Sequence, residues 1–172
     1  MWNEQIIMML LEGIKDTLYM TLTSTLIGYV IGLPMGILLT VTDKDGIHPN
    51  AAVYKVLDVI ANLIRSVPFL ILLIVLIPFT RFLIGRSYGP TATIVPLVIA
   101  AAPYIARMVE SSLKEVDAGV IEAARSMGAS NFTIVTKVML VEARTSLIVG
   151  ATISLGTILG YSAMAGTVGG GG

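Results

Sequence analysis

The chain holds few residues with which to do covalent chemistry. His48 is the single histidine and cysteine is absent, which excludes a histidine-based metal site, a disulfide and a thiol nucleophile. His48 stands beside Pro49 and reads as a loop residue without chemistry. The phosphate-cradling pattern G-x-x-x-x-G-K-[ST] does not occur, so this sequence offers no P-loop. Eleven basic residues balance eleven acidic ones, and a net charge of zero gives no global field that calls for nucleic acid. The largest hydrophilic segment runs from Arg107 to Arg144. Arg107 and Glu110, three residues apart, suit a local ion pair of about 0.2–0.5 kcal/mol that positions this segment.

The elements that must hold this segment are apolar. Hydrophobic residues make up 55% of the chain and charged residues 13%, with a mean hydropathy of +0.88. Soluble domains run at about 45–50% apolar with glycine counted and about 25% charged, so lipid is the expected solvent. Residues 17–42 carry no charge, and as a helix they would cover about 39 Å against a hydrocarbon core of about 30 Å. Within them Gly28, Gly32 and Gly36 recur every fourth residue, a small-residue stripe that lets a second helix approach closely. Pro34 predicts a local kink. Residues 66–84 form a second span, with Ser66 as N-cap, Pro68 in the first turn, a kink at Pro78 and Arg81 snorkelling outward. Ahead of it, residues 51–64 have helical periodicity with Lys55 and Asp58. Residues 87–106 form a third span punctuated by Pro90, Pro96 and Pro103, which membrane helices tolerate where neighbours re-satisfy the freed carbonyls. A fourth, over residues 145–168, carries a second small-residue pair, Gly156 and Gly160, and dissolves into Gly169–Gly172. Residues 1–16 carry Glu4, Glu12 and Asp16 against Lys15, unlike a cleavable signal. They read as an interfacial helix with Trp2 as anchor.

Positive charge orients the bundle. With the N-terminus outside, the segments over residues 41–66 and 107–144 face the cytoplasm and hold eight of the Lys and Arg residues, and the other side holds three. The fold class is therefore all-α, a polytopic transmembrane bundle in a single domain over residues 1–172, with a cytoplasmic loop over residues 107–144.

That loop has internal order. Val120, Ala123, Ala124 and Met127 fall at i, i+3, i+4 and i+7, one face of a short helix over residues 116–127, with Glu122 off the stripe. Gly128 follows, where a helix ends in a left-handed turn. Ser130 then caps a second helix to about residue 140. Interfacial helices carry bulky apolar residues and a basic polar face. Here the face is small and the polar side mixed in sign, which fits a protein groove better than lipid.

Glu122-Ala123-Ala124, Gly128, Val138 and Leu140 resemble the EAA loop of ATP-binding-cassette (ABC) importer permeases. Val141 stands where that pattern has proline, and Val138 where isoleucine is common. The stretches Arg65-Ser66-Val67-Pro68-Phe69, Ile77-Pro78-Phe79-Thr80-Arg81, Ala102-Pro103-Tyr104-Ile105-Ala106-Arg107 and Gly160-Tyr161-Ser162-Ala163-Met164-Ala165-Gly166 are similar to the permeases of methionine-import transporters. The resemblance implies a type I importer permease in the bacterial inner membrane, forming a pathway for an amino acid, methionine above all. It implies a second permease copy, two ABC ATPase subunits that hold ATP and Mg, and an extracytoplasmic substrate-binding protein. It implies no cofactor and no enzymatic activity in this chain. Val120, Glu122, Ala123, Ala124, Met127 and Gly128 would couple to the ATPase, with Glu122 reaching a basic residue there. Tyr161, Ser162 and Met164, near the outer end of the fourth span, would be gate residues. Such permeases have five spans, so the resemblance also implies a further helix beyond Gly172, this sequence being part of a longer one.

Rival readings remain at this point. Within the transporter class the rival cargo is another amino acid or a small osmolyte. A structural subunit of a membrane complex explains the glycine stripes but not the loop helix. An intramembrane enzyme needs facing ionisable groups at mid-depth, where these spans offer only Ser, Thr and Tyr.

Overall fold

A computed structural model describes residues 4–171; Trp2 and Gly172 lie outside the described residues. The N-terminal segment and the first apolar stretch form one unbroken helix, α1 (Glu4–Thr42), instead of an interfacial helix leading into a span. No residue before Pro34 interrupts the helical backbone, and α1 continues through Pro34 itself.

After a loop over residues 43–50, Asn50 caps α2 (Ala51–Ser66), its side chain accepting from the Val53 N–H. The second apolar stretch is not one helix. Pro68 caps α3 (Phe69–Val75), and α4 (Ile77–Ile84) begins one residue after α3 ends, across Leu76. Ser66 is the last residue of α2 and not a cap, since its hydroxyl turns back onto the Asn62 carbonyl. Pro78 sits in the first turn of α4, so the break falls just before it, where its missing N–H costs nothing. Between α2 and α3 the chain bends by 102°.

Helix α5 (Pro90–Lys114) runs eight residues past the end expected from the sequence, through Arg107 and Glu110. Pro90 occupies its first position, and Pro96 and Pro103 are accommodated inside it, buried among neighbours. The short α6 (Ala118–Ser126) follows. From Asn131 the chain forms α7 (Asn131–Thr133), a π-helical turn (Ile134–Met139) and α8 (Leu140–Glu142) before α9 (Arg144–Gly166).

Helices α1, α5 and α9 are each long and apolar enough to cross a membrane, and the bent pair α2–α3 makes a fourth if taken as one span. Helix α5 lies at the centre. Its Leu97, Ala101, Ile105, Ala106, Val109 and Leu113 are all but fully buried. Exposed Leu, Ile, Val and Phe side chains stud α1, α3, α4 and α9, as expected where lipid is the solvent.

Gly28, Gly32 and Gly36 are buried on the face of α1 that meets α5. A Cβ at Gly32 would stand 2.7 Å from the Ala102 carbonyl oxygen, and one at Gly36 2.6 Å from Val109 Cβ. The backbones of α1 and α5 therefore come together at a distance that only glycine permits. Gly156 and Gly160 differ, since a Cβ at either position meets nothing within 4 Å. Within this chain they are not packing residues; that face of α9 is open.

The glycine run after α9 does not dissolve. Gly169 accepts a 3.0 Å bond from the Gly89 N–H, and the Gly170 carbonyl accepts from the Thr93 hydroxyl at 3.2 Å. The segment thus folds onto the start of α5.

Candidate functional site

Helix α6 is set by its ends. Asp117 caps it, its carboxylate accepting from the Gly119 N–H at 2.8 Å, which satisfies an otherwise orphaned donor. Gly128 closes it with φ +82°, a left-handed conformation that a Cβ would strain by roughly 1–2 kcal/mol. Between the ends, Ile121 and Ala124 turn toward the bundle, and Ala124 is buried. The stripe of Val120, Ala123, Ala124 and Met127 thus straddles an edge. Ala124 faces inward, whereas Val120, Ala123, Met127 and the neighbouring Glu122 are exposed. Met127 is 82% exposed and Phe132, just after the Gly128 turn, 78%. These are large apolar groups on the most hydrophilic part of the chain.

A hydrogen bond ties α6 to the bundle without sealing it. The Arg125 guanidinium donates to the Ile47 carbonyl at 2.9 Å, joining α6 to the loop between α1 and α2. Toward α9 an open cleft of about 570 Å³ remains, with Val116, Val120, Glu142 and Val149 among its walls.

Beneath the loop lies an ion network that spacing alone did not reveal. Glu110, 7% exposed, accepts from Arg107 at 2.7 Å and from Lys114 at 2.8 Å. Lys114 also reaches Asp43 at the end of α1, at 2.7 Å. Arg107 pairs with Asp58 and donates to Asn62 at 3.0 Å, both on α2. The Tyr54 hydroxyl donates to Glu110 at 3.4 Å. The sequence suggested one local pair on α5; the structure has a network joining α1, α2 and α5. The hydrogen bond from Lys114 holds the Asp43 carboxyl below the usual carboxylate range, against a smaller opposing effect of burial. The signal in the sequence was the placing of Asp43 and Lys114 at helix ends and of Asp58 within the periodic stretch that forms α2, but nothing in it fixed the pairing.

The three gate candidates do not converge. Tyr161 is half-buried and stacks on Phe69 with ring centroids 4.7 Å apart. Ser162 is buried against α1, 3.3 Å from the Thr21 hydroxyl, and Met164 is exposed. Tyr161 borders a cavity at the break between α2 and α3.

Comparison with known proteins agrees with this architecture. The family model described as binding-protein-dependent transport system inner membrane component matches residues 7–172. The D-methionine transport system permease protein MetI of Salmonella typhimurium is 51% identical over 164 residues, 95% of this chain and 76% of that protein. The probable D-methionine transport system permease protein MetI of Pasteurella multocida is 52% identical, over 91% of this chain and 72% of that protein. Among solved structures, an inward-facing conformation of the MetNI methionine ABC transporter contains a chain that superposes with a TM-score of 0.96 at 51% identity, covering 99% of this chain and 79% of that one. A chain of an amino acid ABC transporter crystallised with histidines gives 0.76 at 23% identity, over 96% and 74% of the two chains, a likeness of fold. The break between α2 and α3, the α5-centred bundle and the α6 loop are thus those of a known transport fold, and the chain belongs to the family of binding-protein-dependent transport system inner membrane components.

Proposed function

We propose that this chain is the membrane-spanning permease of a methionine importer, moved by an ATPase carried on separate subunits. The observation that carries the coupling role is the exposed apolar edge of Val120, Ala123 and Met127, continued by Phe132. An apolar surface on a polar loop, on a helix already anchored from behind, suits a protein groove. The relatives at about half identity support methionine as cargo.

In this reading the end of the bundle that carries α6 faces the cytoplasm, where most of the basic residues fall, and the N-terminus lies outside. Val120, Ala123, Met127 and Gly128 form or shape the surface that enters the ATPase groove. Glu122 stands exposed beside it to meet a basic residue, and Ala124 holds the helix against its own bundle. When the ATPase subunits close, α6 is drawn with them. The Arg125–Ile47 bond passes the displacement to the loop beyond α1, and the network centred on Glu110 passes it among α1, α2 and α5. The helices then rock as a body against a second copy, with the pathway between the two, and a binding protein delivers cargo from outside.

The test is co-purification of the full-length subunit with its ATPase. Ala123→Arg and Met127→Asp change exposed positions only, so insertion in the membrane is retained while ATPase association and uptake are lost. Association that survives both substitutions would overturn the coupling role assigned to this edge.

A further inference from the structure

Along the chain α6 connects to α9 through a segment that contains the π-helical turn Ile134–Met139. The Leu140 N–H bonds the Val135 carbonyl, five residues back. The Ile134 N–H before the turn and the Ala143 N–H after it bond four residues back, to Ser130 and Met139, at 2.9 Å each. The turn therefore holds one residue more than an α-helix joining the same ends. Such turns are rare and concentrate at functional sites. Nothing covalent forces this one, since residues 131–149 contain neither proline nor glycine, two usual causes of a broken helix. Packing chooses it. Ile134 and Met139 are both buried in the core, and five residues apart in an α-helix they would point about 140° away from each other. The π-turn brings both onto the bundle.

The same residues also suit the other register. Ile134, Val135, Val138 and Met139 fall at i, i+1, i+4 and i+5, an apolar arc of about 140° on an α-helix. All four already meet the apolar core, so an α-helical segment would keep an apolar face on the bundle. What changes is the part before the turn, which rotates by about 100° and moves about 1.5 Å along the axis. Phe132, exposed in this structure, would then stand only about 20° from Met139, seven residues on.

We propose that Ile134–Met139 is a two-register hinge, π-helical in this structure and α-helical in another conformation of the transport cycle. The switch loses no backbone bond: the Leu140 N–H exchanges the Val135 carbonyl for that of Thr136. The left-handed turn at Gly128 absorbs the rotation on the other side. Phe132 thereby alternates between the edge that α6 presents to the ATPase and the face that packs on the bundle. The hinge lets α6 swing with the ATPase while α9 follows by a different amount. The proposal rests on the reading of α6 as the coupling helix and adds a moving part to it.

The absence of cysteine from this chain provides the test. Two pairs of exposed positions are spin-labelled in the full complex, Asn131→Cys with Thr152→Cys across the turn and Val141→Cys with Thr152→Cys beyond it. Each complex holds one labelled and one unlabelled copy, with ATPase subunits that lack reactive cysteines. Pulsed electron paramagnetic resonance reads each distance in nucleotide-free and ATP-bound complexes. The 131–152 distance is expected to change by at least about 5 Å, from a rotation of about 100° on a helix about 10–12 Å wide. The 141–152 distance is expected to stay constant. Deletion of Thr136 removes the extra residue, so it should give one 131–152 distance in both states and lower uptake at least about tenfold, with the ATPase still bound. An unchanged 131–152 distance in a complex that imports methionine would overturn the hinge and leave the coupling reading intact. A change of equal size in both pairs would also overturn it, by placing the motion at Ala143. If the deletion fails to assemble, the two label pairs decide without it. ATPase association that survives Ala123→Arg and Met127→Asp would instead remove the reading on which the hinge rests.

Discussion

The Arg125 guanidinium and the Ile47 carbonyl oxygen, 2.9 Å apart, are the point at which α6 is bonded to the loop between α1 and α2. At a solvent-exposed site such a bond contributes at most about 1 kcal/mol to stability, so its interest is mechanical. It is a further attachment between α6 and the bundle, besides the packing of Ile121 and Ala124 and the chain connections at either end. Arg125→Ala should leave the thermal midpoint of the complex nearly unchanged while raising the ATP hydrolysed per methionine imported. The check is a paired measurement of hydrolysis and uptake in proteoliposomes. An unchanged ratio would show that this bond does not carry the displacement.

Glu110 stands at the centre of the ion network, buried and bonded to two cations. Removing one partner of a buried pair costs about 3–5 kcal/mol because an uncompensated charge is left behind. Glu110→Ala should therefore lower stability severely, by loosening α5 from both Asp43 and α2. Glu110→Gln keeps an acceptor and should cost less. The two substitutions Glu110→Gln and Lys114→Met share a contact, so their effects should fall short of additivity. A double-mutant cycle on thermal inactivation in detergent reads this directly.

How much of this was legible in the sequence follows from which interactions are local. The Gly28, Gly32, Gly36 stripe was legible because helical spacing puts every fourth residue on one face, whatever the partner. The cap at Asp117 was not anticipated, although the turn at Gly128 was, because left-handed turns favour one residue so strongly. The α6 stripe was correct in spacing, but which edge of it faces the bundle depends on the docking of Ile121 and Ala124, a tertiary matter. The network was opaque for the same reason. Arg107 to Glu110 is local, while Lys114 to Asp43 and Arg107 to Asp58 join residues on different helices. The broken second span was half legible: Pro68 and Pro78 marked it, but the placing of Ser66 at the end of α2 reversed its expected role. The extension of α5 past Arg107 was masked because charged residues looked like loop, when partners on α1 and α2 were in fact waiting for them.

Asp43 gives the network a pH dependence of definite sign. Its carboxyl is held below the usual range by the bond from Lys114. A group depressed in the folded state contributes stability above its unfolded value, near about 3.9, and loses it as pH falls through the folded value. The tie between the end of α1 and α5 should thus be constant at neutral pH and weaken only below about pH 4. Asp43→Asn should remove this component of the acid limb and leave the rest of the pH–stability curve unchanged. Thermal midpoints of the purified complex across the acid range check it.

The two glycine stripes should respond in opposite ways. A Cβ at Gly36 would stand 2.5 Å from the Ala106 carbonyl oxygen and 2.6 Å from Val109 Cβ, both on the central helix. Backbone cannot yield as a flexible side chain does, so Gly36→Ala forces α1 away from α5 at a cost of about 1–3 kcal/mol. At Gly160 a Cβ meets nothing within 4 Å. Gly160→Ala should leave the stability of the single subunit no lower, because alanine is the better helix former. If the open face of α9 meets another helix in the assembled importer, Gly160→Leu will weaken assembly while the dissociated subunit stays folded. Thermal inactivation of the dissociated subunit, measured beside the mass of the assembled complex, separates these outcomes. Equal loss of subunit stability at Gly36 and Gly160 would contradict the packing of α1 on α5 described above.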